Sequence, residues 1–503
     1  MLAKTQCYTL IGLNGVPVCA EVDVGNGLPS FDIVGLGDTA VKESKERIRA
    51  AIKNSGMSLP AKKIVCNLAP ADVKKEGSAF DLSLAVGLLK AFGQLVFGDD
   101  KTVFLGELSL DGSLRKVNGV LPILISALSD GYKKFVIPAD NAREASFVDG
   151  AEVYPANSLR EVIDHLSGYR PLERVVPLDY LKERVKRTYS EDLSFIKGQK
   201  VAKRALEVAV SGGHNILFVG APGTGKTMLA KCIPTIMPDM TKEEALETTK
   251  IHSKAGILSS ADGIVFTRPF RASHHTASTV SLTGGGAKIR PGEISLAHNG
   301  VLFLDEMPEY DRATLEALRQ PLEDGVITVS RAEGSVKYPA NFMLCGSMNP
   351  CPCGNLGSAD KVCTCSPSQI AKYKAKISGP LLDRIDIQVN VDGVKYSELT
   401  STEKSETSET VRKRVNRCRE IQRARFEGEG IYTNADMGER QIEKFCKLSQ
   451  ECENILKNAY ESLGLSPRAR SRIIKVARTI ADMAESPDIL GKHILEAISY
   501  RHG

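Results

Sequence analysis

The chain has 503 residues, 42% of them hydrophobic and 25% charged, with a formal net charge of +5. Length and composition suit a globular protein of about three domains and exclude disordered and fibrous classes. No apolar run approaches the roughly 18 residues of a membrane span, and no basic-then-apolar leader opens the chain, so the sequence predicts a cytoplasmic protein without a membrane partner.

In chain order, residues 1–167 form a first block. It mixes β-rich runs at Lys63–Leu68, Thr102–Leu105 and Lys134–Pro138 with helical ones at Asp38–Asn54, Phe80–Phe92 and Leu121–Asp130. A proline-bearing charged stretch at 168–190 reads as a linker. Residues 191–395 hold a series of short apolar strands, and residues 396–503 read as helical, with clear periodicity over Ile473–Met483. The expected fold is therefore α/β in the middle, α+β before it and a helical domain after it.

The strongest motif is Gly220-Ala221-Pro222-Gly223-Thr224-Gly225-Lys226-Thr227, which is G-x-x-x-x-G-K-[ST] without departure. An apolar strand, Asn215–Val219, precedes it and a helical start, Met228–Cys232, follows it. Phosphates would then lie at a helix N-terminus, with Lys226 on the β/γ-phosphates and Thr227 on Mg²⁺. The apolar strand Gly300–Leu304 ends in Asp305 and Glu306. Asp305 suits Mg²⁺ coordination and Glu306 suits orienting the attacking water. Another buried strand, Asn341–Met348, ends at Asn349, which could bond the γ-phosphate or its water. Together these predict ATP hydrolysis, with no other small-molecule substrate.

Of twelve cysteines, eight are scattered and read as small buried hydrophobes. Cys351, Cys353, Cys363 and Cys365 form C-x-C-x₉-C-x-C. Four thiolates on two tight turns can close a tetrahedral Zn²⁺ site; an iron–sulfur centre and no metal are the alternatives. Further on, Leu381–Asp386 places Arg384 among apolar neighbours, and Ser466-Pro467-Arg468 opens a helix. Val411–Phe426 carries seven basic residues against one acid along an apolar stripe, so it is either a solvated helix face or a phosphate-contacting one.

These motifs together resemble the AAA+ ATPases. The segments Arg268–Thr276 and Pro291–Gly300 resemble the magnesium-chelatase-like branch, and within it the ComM/YifB family, over essentially the whole chain. The resemblance implies that Asn349 is sensor 1, Arg384 an arginine finger acting in a neighbour's site, and Arg468 the sensor-2 arginine, with Arg470 and Arg472 as nearby alternatives. A finger acting in trans implies a homohexameric ring. Thr276–Arg290 is similar to the helix-2 insert and Ile327–Tyr338 to the pre-sensor-1 hairpin. Lys288, Arg290, Arg331 and Lys337 then become candidate contacts to a DNA backbone, with solvated hairpin charges as the alternative. His274 and His275 are expected to be structural or pore-lining rather than metal ligands.

The first block resembles the Lon protease domain through Lys74–Asp81 and Gly106–Gly112. In that frame the catalytic serine falls on Ala79 and the lysine on Leu121, with Ser78 and Lys116 displaced, so peptidase activity is not expected. The function implied is a DNA motor, a helicase or branch-migration enzyme of recombination and DNA uptake, acting on single-stranded or branched DNA. A chelatase- or chaperone-type motor on a protein partner is the alternative.

Overall fold

Alternating apolar and polar residues along Leu2–Ile11 and Asn14–Gly25 build an antiparallel ribbon, one face of which is buried. In the computed structural model, which describes residues 1–98, 101–184, 189–286, 289–331, 334–357, 361–394, 405–463 and 466–501, this ribbon is the centre of a mixed seven-stranded sheet. The strand order is 30–34, 63–69, 14–25, 2–11, 102–104, 134–138, 152–156. Helices Thr39–Asn54, Asp81–Ala91 and Val120–Ser129 cover it, close to where the sequence periodicity puts them.

The chain divides into two compact units: Met1–Val185 with Lys242–Phe266, and Lys186–Thr241 with Thr267–Gly503. The segment Lys242–Phe266 interrupts the second unit in sequence but packs within the first. Its helix, Lys242–Ala255, places Leu246 against the core formed by Val120, Leu121 and Leu124. Ser253 there donates to the buried carboxylate of Glu144, whose Oε1 also accepts from the Leu121 backbone N–H at 2.9 Å.

The second unit is built on a five-stranded, wholly parallel sheet ordered 270–273, 301–304, 343–348, 216–219, 387–390. Val301–Leu304 and Met343–Met348 are buried at every position, because helices cover both faces of a parallel sheet. Ile216, Phe218, Phe303, Cys345 and Ile387 share one core with Leu229 and Ile233 of the helix after the phosphate loop and with Ile473, Ile474 and Ala477 of the C-terminal region. That region is helical as expected: Ser408–Arg425, Glu439–Phe445, Gln450–Leu463, Pro467–Met483 and Gly491–Ser499. Pro467 occupies the first turn of its helix, and the Ser466 side chain caps it by accepting from Ala469 N–H at 3.2 Å.

The seven basic residues around 411–426 serve mostly to dock this region. Arg414 bonds Glu207 at 2.5 Å and Glu406 at 2.8 Å, Arg417 bonds Glu485 at 2.6 Å, and Arg425 clamps the buried Asp482. Arg419 donates to the Val210 carbonyl at 3.0 Å, and Lys413 pairs with Glu409 at 3.4 Å. Four of the seven, Arg414, Arg417, Arg419 and Arg425, thus meet partners outside their own helix, while Lys413, Arg414, Arg417 and Arg423 remain exposed to solvent.

Candidate ATPase site

Phosphate-loop chemistry begins with the strand Ile216–Val219, which delivers Gly220 to the carboxyl edge of the sheet beside the strand Met343–Met348. Open α/β sheets bind ligands at that edge, where the strand order reverses. The loop turns back through Gly223 and Gly225, at φ of 80° and 94°, a region in which other residues are strained. The helix Lys226–Ile236 follows, so its first-turn N–H groups have no intrahelical acceptor and face the loop.

Lys226 is buried, with 8% of its surface exposed, and its Nζ donates to Gly220 O at 2.6 Å, Ala221 O at 2.9 Å and Asn349 Oδ1 at 3.2 Å. All three acceptors are neutral. Burial lowers its pKa, and only the more distant Asp305 and Glu306 pull the other way. A buried ammonium held only by neutral acceptors is poised to pair with an anion, and a polyphosphate suits that role. Thr227 Oγ1 lies 3.0 Å from Asp305 Oδ2, a pair of hard oxygen donors that fits Mg²⁺. Thr227 and Asp305 would hold the ion, which when bound supplies positive charge to the phosphates.

The structure therefore brings Lys226, Thr227, Asp305 and Asn349 together. Glu306 sits beside them in a left-handed conformation at φ 52°, its N–H held by Asp305 Oδ1 at 3.1 Å and Ser347 Oγ at 3.2 Å. Strain of this kind at a site edge persists only where neighbours over-determine it. Here it turns a half-exposed carboxylate outward, toward water.

Three residues join this site without having been singled out for it. Ser347 is fully buried and donates to Asp305, orienting the carboxylate. His275 Nδ1 lies 3.6 Å from Glu306 Oε2. The parallel pairing of Ser273 with Leu304 explains why, since two residues further on 275 faces 306. Tyr310 donates to the Ser273 carbonyl and sets its ring edge-on to His275, 6.5 Å between centroids. Ser347 could have been found from strand alternation with Asn349. His275 could not, because strand pairing is absent from local sequence. His274 packs tilted against His275 at 4.1 Å between centroids and bonds Thr276 Oγ1 at 2.9 Å.

Four arginines stand apart from this cluster. Arg384 is largely buried, ion-paired with Glu323, and donates to Pro380 O at 2.9 Å. Arg470 pairs with Glu453 at 2.8 Å and Arg472 with the buried Asp386, whereas Arg468 is exposed. Val326–Arg331 and Gly334–Pro339 form the expected antiparallel hairpin, and Gly284–Gly285 pairs with Arg290–Pro291 in the other insert. Tyr338 Oη donates to Ile289 O at 2.9 Å, so the two inserts lie side by side. Arg290 and Lys337 are exposed; Lys288 and the Arg331 side chain lie outside the described residues.

All four clustered cysteine Sγ atoms lie within 4.8 Å of one another. Backbone N–H groups of Asn355 and Thr364 favour the Cys353 thiolate and draw its pKa down. In the first unit, Ser78 Oγ donates to Glu107, and Lys116 Nζ donates to Leu258 O and Ser260 Oγ, both at 2.8 Å, so these bonds direct Ser78 and Lys116 to other partners.

A five-stranded parallel sheet with this order, a phosphate loop on the strand beside the centre and acids on the next strand but one define an AAA+ ATPase. Family profiles agree: "Magnesium chelatase, subunit ChlI" matches residues 192–399, "Subunit ChlI of Mg-chelatase" residues 20–141, and "Magnesium chelatase, subunit ChlI C-terminal" residues 405–501. YifB of Escherichia coli is 44% identical over 99% of this chain and 97% of its own length. Competence protein ComM of Haemophilus influenzae is 43% identical over the same shares. Lon protease 2 of Bacillus subtilis is 27% identical over 32% of this chain and 30% of its own. The chain belongs to the ComM/YifB family of magnesium-chelatase-like AAA+ ATPases. Among the described residues, no helix is long and apolar enough to cross a membrane.

Proposed function

We propose that this ATPase is a ring-forming cytoplasmic motor on DNA, a helicase or branch-migration enzyme serving recombination and the uptake of transforming DNA. The observation that carries the reading is the end-to-end likeness to a competence protein. Exposed Arg290 and Lys337 on two adjoining hairpins support it, as cations suited to phosphate backbones rather than base edges.

Arg384 is the finger of this reading. Among the described residues its side chain bonds Glu323 and Pro380 rather than its own phosphate loop, which suits a group serving a neighbouring subunit of a hexamer. Arg468 is the sensor-2 arginine, since Arg470 and Arg472 are occupied by Glu453 and Asp386. Asn349 acts as sensor 1, Lys226 neutralises phosphate charge and Glu306 orients water. The four cysteines hold structural zinc. Ser78 is no nucleophile, because a serine needs a base to take its proton and Lys116 is directed elsewhere.

ATP hydrolysis measured with single-stranded, duplex and four-way-junction DNA tests the reading. DNA should stimulate turnover, with apparent affinity falling steeply as salt rises. Neutralising Lys288, Arg290, Arg331 and Lys337 together should weaken stimulation and spare basal hydrolysis. Turnover that ignores every DNA but responds to an unfolded protein would replace this reading with a protein-remodelling one.

A further inference from the structure

The segment after the third buried strand runs Asn349-Pro350-Cys351-Pro352-Cys353-Gly354, so a nucleotide-site residue and two thiols share six consecutive positions. The Cys351, Cys353 and Cys363 sulfurs are separated by 3.4, 3.7 and 3.7 Å. A tetrahedron of thiolates about Zn²⁺, with Zn–S near 2.3 Å, has edges of about 3.8 Å. Cys365 Sγ accepts from Cys353 N–H at 3.4 Å, a backbone contact that orients a ligand from outside the coordination sphere. Leu356 and Val362, the only large aliphatic side chains between Cys351 and Cys365, are 38% and 87% exposed. A metal bound by the four thiols would add order to this segment.

What the loop touches matters more than what holds it. Gly354, at φ +78°, lies directly on Pro222 of the phosphate loop: a Cβ there would come within 2.6 Å of Pro222 Cδ and 2.9 Å of Cγ. Asn349, two residues before Cys351, accepts from Lys226 Nζ at 3.2 Å. On the far side, Ser366 follows Cys365 directly and caps the helix Pro367–Lys374, its side chain accepting from Gln369 N–H at 3.3 Å. The cysteine segment thus meets the phosphate loop at Pro222 and follows directly on Asn349, all within one unit.

Resting on the reading that these cysteines hold zinc, we propose that the zinc loop braces the phosphate loop, so that zinc occupancy sets nucleotide affinity. By reciprocity, bound nucleotide must retain the zinc by the same factor. Pro222 is the contact point, and Asn349 is the second route by which order in the loop reaches Lys226.

The test uses the full-length protein with a zinc-selective nitrogen-donor chelator that leaves Mg²⁺ in solution. Metal analysis should find about one zinc per chain in untreated protein. Removing it should weaken binding of a fluorescent ATP analogue by about tenfold, and ADP with Mg²⁺ should strengthen zinc retention by the same factor. Untreated protein without zinc overturns the metal reading itself. Zinc present, but nucleotide affinity unchanged on its removal, overturns the brace and leaves the metal reading standing. If depletion unfolds the ATPase unit, Gly354→Ala read on preparations that carry full zinc decides the matter. It crowds Pro222 without touching a thiol, and wild-type nucleotide affinity in that variant refutes the coupling.

Discussion

Replacing Asp386 with Asn should loosen the C-terminal helices from the nucleotide-binding sheet. Asp386 is 5% exposed and directly precedes the edge strand Ile387–Asn390. Its Oδ2 lies 3.1 Å from His214 Nδ1, and its Oδ1 pairs with Arg472. The other ring nitrogen of His214 lies 2.8 Å from Thr479 Oγ1, so one carboxylate joins the strand that enters the phosphate loop to the helix Pro467–Met483. Burial alone would raise the Asp386 pKa, but Arg472 and His214 overcome it and hold it far below the usual carboxylate range. Breaking a buried charged pair costs about 3–5 kcal/mol. Arg472 is 24% exposed and regains some hydration, so the lower figure applies: about 3 kcal/mol, or roughly a hundredfold increase in local opening.

Hydrogen exchange on peptides covering 467–483 and 216–219 measures that opening, with the helix 120–129 of the other unit as internal control. Asn keeps the shape and loses the charge, so a protection change below about threefold would refute the assignment of this network as the tie between sheet and lid. The same carboxylate gives a pH signature. Its folded pKa is depressed, so its contribution is present above the unfolded value of about 3.9 and is lost as pH falls through the folded pKa. Stability of the second unit should therefore decline from about pH 5 downward, and Asp386→Asn should flatten that decline.

Lys226→Ala should abolish hydrolysis in a phosphate-release assay, while Glu306→Gln should bind ATP and turn over at least about 100-fold more slowly; wild-type turnover in the Gln variant would remove Glu306 from its role. His275→Ala should slow turnover about tenfold with nucleotide affinity intact, because the ring that flanks the Glu306 carboxylate is lost, and an equal loss of affinity would point to a structural role instead. Arg384→Ala should lower turnover about 1000-fold, and mixing it with Lys226→Ala should restore part of the activity by pairing an intact finger with a neighbour's intact loop. Mixed rings that form yet stay inactive would count against a finger acting in trans.

Sequence alone determined what depends on contiguous backbone. Residues 220–227 specify their turn through glycines and their anion site through a following helix, and a buried strand ending in Asp305 and Glu306 is equally local. The four-cysteine spacing and the capped start at Ser466-Pro467 belong to the same class. Tertiary structure decided every pairing between segments far apart in the chain. It put His275 on Glu306 through a strand register, and it directed most of the basic charge at 411–426 into ion pairs. It packed Lys242–Phe266 with the first unit, and it occupied Arg470 and Arg472 while leaving Arg468 exposed. The physical reason is range. A turn, a cap or a chelating spacing is set by the torsions and side chains of a few neighbours, whereas the partner of a buried charge is set by which strand lies beside which, and His214 meets Asp386 only because their strands are adjacent in the sheet.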